Sequence, residues 1–182
     1  MLRRTRRVIF GLGLGLVLGT VLVAPSAQAR TTSVAGLADI SCLVGSQTGH
    51  FQPGLTYTPR PTSFTGRGNV SGCVDLTGHG ITGAAFTTHG SGTASCLTGT
   101  VSSLTTYYWS NGRSSTVKNT GAIEVKPDGI TVLVLTGTVE AGQFTGSTVV
   151  QTKTLLSTDL TACLTPQGLT SAGGPVTVTL TP

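Results

Sequence analysis

Residues 120–156 read TGAIEVKPDGITVLVLTGTVEAGQFTGSTVVQTKTLL, and this stretch decides the fold. Ile123 and Val125 alternate with Glu124 and Lys126, the period of two expected of a half-buried strand. Pro127-Asp128-Gly129 then reverses the chain, because Pro presets φ and Gly accepts φ > 0. Residues 130–135 are apolar on both faces, which predicts a strand covered from two sides. Glu140-Ala141-Gly142-Gln143 turns the chain again, and residues 144–156 run back beside it. Three strands joined by two tight turns make an antiparallel meander.

Working outward, the same alternation and the same punctuation recur. Residues 40–51 read as a first strand, and Pro53, Pro59 and Pro61 make 52–61 an extended loop or edge segment. Residues 63–76 form a second strand interrupted by Gly66, Gly68 and Gly72, as bulges or close backbone approach require. Thr77-Gly78-His79-Gly80 turns into a third strand over 81–97, bent at Gly90-Ser91-Gly92. Within 104–118, Asn111-Gly112 signals a two-residue type I′ hairpin. That register puts Trp109 opposite Ser114, and gives Tyr107 and Trp109 one face with Thr116 and Lys118 across from them. Residues 160–164 read as a short strand carrying Cys163, 170–175 as a small-residue loop, and 176–180 as the strand that closes the sheet. Leu-Thr-Gly-Thr-Val occurs at 97–101 and 135–139, but the flanks differ and no repeat follows. The expected fold is all-β: an antiparallel meander of about eight or nine short strands forming a barrel-like sandwich.

The first 29 residues belong to another category. Arginines at 3, 4, 6 and 7, an apolar stretch over 8–23 and Ala27-Gln28-Ala29 are the three regions of a helical signal peptide, with cleavage after Ala29. The apolar run falls short of the ~20 residues a membrane span needs, so no stable span is expected after processing. Thr5-Arg6-Arg7 fits a twin-arginine address only loosely, which favours ordinary unfolded export. Domain organisation is then a cleaved signal over 1–29, a short polar lead-in over 30–39 and a single all-β domain over 40–182.

Export changes the electrostatics. Without the four signal arginines, seven basic residues face six acidic ones, and the net charge falls from +5 to +1. The remaining cations are scattered singly, with no basic stripe to displace counterions, which excludes nucleic acid as a partner. Four cysteines, Cys42, Cys73, Cys96 and Cys163, all lie in the exported part. None are spaced as the C-x-x-C of a zinc site, so disulfides are expected. Of three connectivities the expectation is Cys42–Cys73, joining consecutive strands, and Cys96–Cys163, tying the late chain to the middle.

No catalytic constellation emerges. Asp75 and His79 with a serine would sketch a triad, but a polar turn accounts for both residues. His89-Gly90-Ser91-Gly92 resembles an oxyanion loop without the G-x-S-x-G elbow that should accompany it. The acids Asp39, Asp75, Glu124, Asp128, Glu140 and Asp159 are dispersed, with no pair for glycoside hydrolysis. No D-x-D-x-D-G run binds calcium, and no metal or cofactor is expected. The Asn69-Val70-Ser71 sequon is a chance match behind a bacterial type of signal. The one stretch with binding character is the hairpin face of Tyr107, Trp109 and Lys118, aromatics being common anchors for sugars and proteins. Large aromatics are mostly buried, however, which favours the lone Trp109 as a core residue capping the barrel.

Cys42-Leu43-Val44-Gly45, Phe51-Gln52-Pro53-Gly54-Leu55, Gly72-Cys73, Ser95-Cys96 and Trp109-Ser110-Asn111-Gly112-Arg113-Ser114 resemble small secreted all-β proteins of actinobacteria, a family of unknown function. The resemblance spans nearly the whole exported chain, implies location and fold, and brings no active site with it. The expected function is a secreted, non-enzymatic β domain that binds an extracellular ligand, such as envelope glycan or protein, or has a structural role at the envelope. A barrel carrying a small apolar ligand is the alternative, and a secreted hydrolase the third. Mass spectrometry of the protein recovered from culture medium should show Arg30 as its first residue; an intact Met1 would refute the signal reading.

Overall fold

A computed structural model describes residues 39–125, 131–156 and 160–182. The signal segment, most of the lead-in, the Pro127-Asp128-Gly129 turn, Lys126, Ile130 and Asp159 lie outside the described residues. Eight strands follow in order: β1 (Ile40–Leu55), β2 (Arg60–Asp75), β3 (Gly83–Ala94), β4 (Gly99–Trp109), β5 (Ser114–Val125), β6 (Thr131–Gly142), β7 (Thr148–Leu155) and β8 (Leu169–Thr181). Each pairs antiparallel with the next, and β8 returns to β1 through pairs such as Ile40 with Leu180 and Cys42 with Val178. The sheet therefore closes into a barrel, with no free edge. Both expected disulfides, Cys42–Cys73 and Cys96–Cys163, are present.

Several local expectations are corrected. The strands are longer than expected, β1 and β2 each reaching 16 residues. β1 continues through Pro53 to Leu55, because the β1–β8 register shifts between His50 and Leu55, where a missing N–H breaks no ladder. Residues 160–164 form a 3-10 turn rather than a strand, and 170–175 are part of β8, not a loop. β6 runs on through Gly142, so the chain turns at 143–147 instead of 140–143. The strand expected to be covered on both faces is covered on one: Leu133 and Leu135 are buried, whereas Val132 and Val134 are half-exposed on the outer wall. A single-layer barrel has nothing outside it to bury them.

Inward positions sort into three levels. Ile40, Cys42, Phe86, Tyr107, Trp109, Val117, Val149 and Val178 pack together at one end. Leu55, Phe64, Ala94, Val101, Ile123, Leu133 and Cys163 pack at the other. Between them lies a buried polar belt of Gln47, Thr88, Ser103, Thr105, Asn119, Gln151 and Lys153. On the strands that carry the belt, its residues are bracketed by apolar groups from either end: Cys42, Gln47, Leu55 on β1; Phe86, Thr88, Ala94 on β3; Val149, Gln151, Lys153, Leu155 on β7.

Glycines make room for the large inward rings. Gly68 is paired with Phe86, and Gly90 with Phe64, so each ring lies over a neighbour without a side chain. A Cβ on Gly90 would stand 2.7 Å from Phe64 Cζ. Gly90→Ala should therefore lower unfolding stability by about 1–3 kcal/mol through overpacking. Urea denaturation would test this; an unchanged midpoint would mean that the ring and the Ser102 carbonyl, which a Cβ also meets, are both free to move.

Candidate binding site

The sequence pointed to the β4–β5 hairpin, and the structure turns that face inward. Gly112 takes φ 82°, but Asn111 is not in the left-handed region. Trp109 N–H donates to Arg113 O at 2.8 Å and Gly112 N–H to Trp109 O at 2.9 Å. The loop thus spans Ser110, Asn111 and Gly112, a three-residue turn ending on a glycine bulge rather than a type I′ turn. One extra residue shifts the register by one, pairing Tyr107 with Ser115 instead of Thr116. Ser115, Val117 and Asn119 consequently face the lumen, and Lys118 faces solvent, 3.9 Å from Glu140.

Tyr107 and Trp109 thus belong to the core, the favoured reading of the lone tryptophan, and form no binding surface. They are 0% and 3% exposed, stacked with centroids 5.3 Å apart, and Trp109 Nε1 donates to Ser115 Oγ at 2.8 Å. Phe144 meets the indole edge-on at 5.8 Å and His79 at 5.4 Å, closing this end of the barrel. Phe144 sits at φ 67°, a conformation disfavoured for a ring-bearing residue and held by this packing.

Asp75 and His79 do approach each other, through Thr77. The Asp75 carboxylate accepts from the backbone N–H groups of Thr77 (2.8 Å) and Ile81 (2.9 Å) and from the Thr77 hydroxyl. Thr77 Oγ1 in turn lies 2.7 Å from His79 Nδ1. Desolvation pushes the Asp75 carboxyl upward, but the hydrogen bonds from Ile81 and Thr77 and the nearby His79 outweigh it and bring its pKa down to about 2. This carboxylate organises the β2–β3 turn. His89 and Ser91 sit within β3, whose backbone is laddered to β2 and β4, so 89–92 is not an oxyanion loop.

A groove on the outer wall was not anticipated. His50 pairs with Thr65, and Thr65 with His89, so three outward side chains form one row across β1, β2 and β3. Gln52, Ser63 and Ser91 form the next outward row. The backbone of Phe51, Phe64 and Gly90 lies between them as a floor. Together these nine residues line a cavity of about 450 Å³. His50, Phe51 and Gln52 are shared with a second cavity of about 540 Å³, bounded by Pro53, Gly54, Arg60, Pro166, Gln167 and Thr170.

Charge is nearly absent from the lining of the two cavities, although the exposed Arg67 stands in the adjoining outward row between Thr48 and Thr87. Neither cavity is lined by an acid, and the one cation, Arg60, is engaged by carbonyls: Nε with Gly54 O at 2.8 Å, Nη1 with Pro166 O at 3.3 Å and Nη2 with Gln167 O at 2.9 Å. Imidazoles, hydroxyls and amides remain. Such a wall offers hydrogen bonds in both directions and two flat ring faces. Among the described residues no cluster of three or more His, Cys, Asp or Glu side chains is placed to hold a metal.

No protein-family model matches the chain, and no curated protein or solved structure does either.

The Asp75 turn yields a pH dependence with a definite sign. A carboxyl depressed on folding stabilises above its unfolded pKa of about 3.9, and that contribution is lost as pH falls toward about 2. Thermal unfolding should show this loss between those limits, and Asp75→Asn should remove that part of it. Equal acid sensitivity in the two proteins would contradict the assignment.

Proposed function

We propose that this is a secreted, non-enzymatic β domain of bacterial origin whose groove over β1, β2 and β3 binds a neutral, hydroxyl-rich polymer such as an envelope glycan. The supporting observation is the groove itself: two outward rows, His50–Thr65–His89 and Gln52–Ser63–Ser91, flank a floor open at its β1 end into the second cavity. An extended ligand suits an open trough, and an uncharged one suits a lining whose cation, Arg60, is already engaged. The lack of an acid in the lining gives no carboxylate pair for cleavage.

Extracellular placement agrees with the two disulfides, which persist in oxidising compartments. No helix among the described residues is long and apolar enough to cross a membrane. The barrel wall itself carries exposed Thr48, Thr65, Thr87, Thr120, Thr136 and Thr138, where a lipid-facing barrel carries an apolar band. The carrier reading needs a chamber of about 300 Å³ or more. An enclosed space between Leu55, Cys96, Ile123 and Leu155 measures about 20 Å³, nearer to one water than to a ligand.

Binding to purified envelope polysaccharides, followed by calorimetry and by NMR shifts of the His50 and His89 rings, tests the proposal. His50→Ala with His89→Ala should weaken binding about tenfold or more while leaving the melting temperature within a few degrees, since both rings are exposed. Glycan turnover by the protein, or binding untouched by the double variant, would overturn it.

A further inference from the structure

The polar belt inside the barrel is more than filler. Lys153 is 3% exposed and rises from β7, yet its Nζ lies 5.6 Å from the centroid of Phe86 on β3. Strands four apart in a closed ring of eight stand on opposite walls, so this lysine crosses the lumen. Burial lowers its pKa to about 8, which still leaves it charged at neutral pH. The described acids offer no counter-charge: Asp75 holds its turn, Glu140 faces Lys118 at the surface, Glu124 is exposed and Asp39 precedes β1. The ring of Phe86 offsets only part of the cost of a buried ammonium.

The surrounding groups are mostly donors in search of acceptors. Gln47 Nε2, Gln151 Nε2, Ser103 Oγ and Tyr107 Oη are all buried without a hydrogen-bond partner, against two such acceptors in the belt, Gln151 Oε1 and Asn119 Oδ1. Gln47 lies on β1 and Gln151 two residues from Lys153 on β7; Tyr107 leans on Phe86 with centroids 5.6 Å apart. Thr88, Thr105 and Asn119 are linked to one another: Thr88 Oγ1 lies 2.9 Å from Thr105 Oγ1, and Asn119 Nδ2 donates to Thr105 Oγ1 at 3.0 Å, while Asn119 Oδ1 has no partner. One side of the belt is thus a hydrogen-bonded chain. The other holds the Lys153 cation and four buried N–H and O–H donors without partners.

We infer that the barrel lumen binds a monatomic anion of chloride's size, held by the Lys153 ammonium and by donors from Gln47, Gln151, Ser103 and Tyr107. An anion accepts from all of these at once and neutralises the one buried charge, which a water molecule does not. Larger anions are excluded because Lys153 itself spans the lumen between two apolar plugs. The site is independent of the outer groove, which lies on the other side of the wall.

Crystals grown in bromide, with data collected at the bromine edge, give the direct test. An anomalous peak within hydrogen-bond reach of Lys153 Nζ is the expected result; ordered water alone at that position would overturn the inference. In solution, replacing gluconate by chloride at constant ionic strength, from about 1 to about 100 mM, should raise the melting temperature by about 5 °C. Lys153→Met should fold without that chloride dependence. Equal melting in chloride and gluconate for the unmodified protein would also overturn it, and the bromide map decides if the variant does not fold.

Discussion

The hydrogen-bonded ladder between β8 and β1 is the constraint on which the other features rest. It makes the last strand the neighbour of the first and so commits a chain of simple up-and-down hairpins to a lumen of fixed size. Most of its partners are far apart in sequence, and bringing them together requires the intervening meander to have formed. The disulfides support closure at opposite ends. Cys42–Cys73 clamps β1 to β2 beside one apolar cluster, and Cys96–Cys163 ties the β3–β4 turn to the 3-10 segment beside the other.

A closed lumen must be filled, and the filling explains much of the composition. Eight strands leave space for side chains but not for large ones at every position. The solution here is alternation across the ladder: Phe86 against Gly68, Phe64 against Gly90. The apolar ends seal the lumen from solvent, so any polar atom between them needs a partner from inside. The Thr88–Thr105–Asn119 network provides such partners for one part of the belt, whereas Lys153 and its neighbouring donors call for a different one.

The outer wall follows the opposite logic. Period-two alternation sends Thr, Ser and His outward wherever an apolar or small residue goes in, and closure curves these residues into rows. A groove arises where two rows flank backbone whose own side chains are turned inward, as at Phe51, Phe64 and Gly90. Arg60, fixed by the carbonyls of Gly54, Pro166 and Gln167, builds the far end of that groove without lending it free charge.

Much of this was legible in the residues alone. Alternation and turn chemistry determined an all-β meander, because a side-chain period of two and the φ demands of Gly and Pro are local properties. The cysteine pairing also came out, since Cys42 and Cys73 sit on consecutive strands. Register did not. Asn111-Gly112 suits a two-residue loop and a three-residue one alike, and the difference of one position put Ser115, Val117 and Asn119, rather than Thr116 and Lys118, on the buried face of Tyr107 and Trp109. The His50–Thr65–His89 row depends on two registers at once, and Lys153's reach to Phe86 on closure of the whole ring. Local stereochemistry is written residue by residue, whereas alignment between strands is set by the summed packing of all of them, and only the tertiary structure carries that sum.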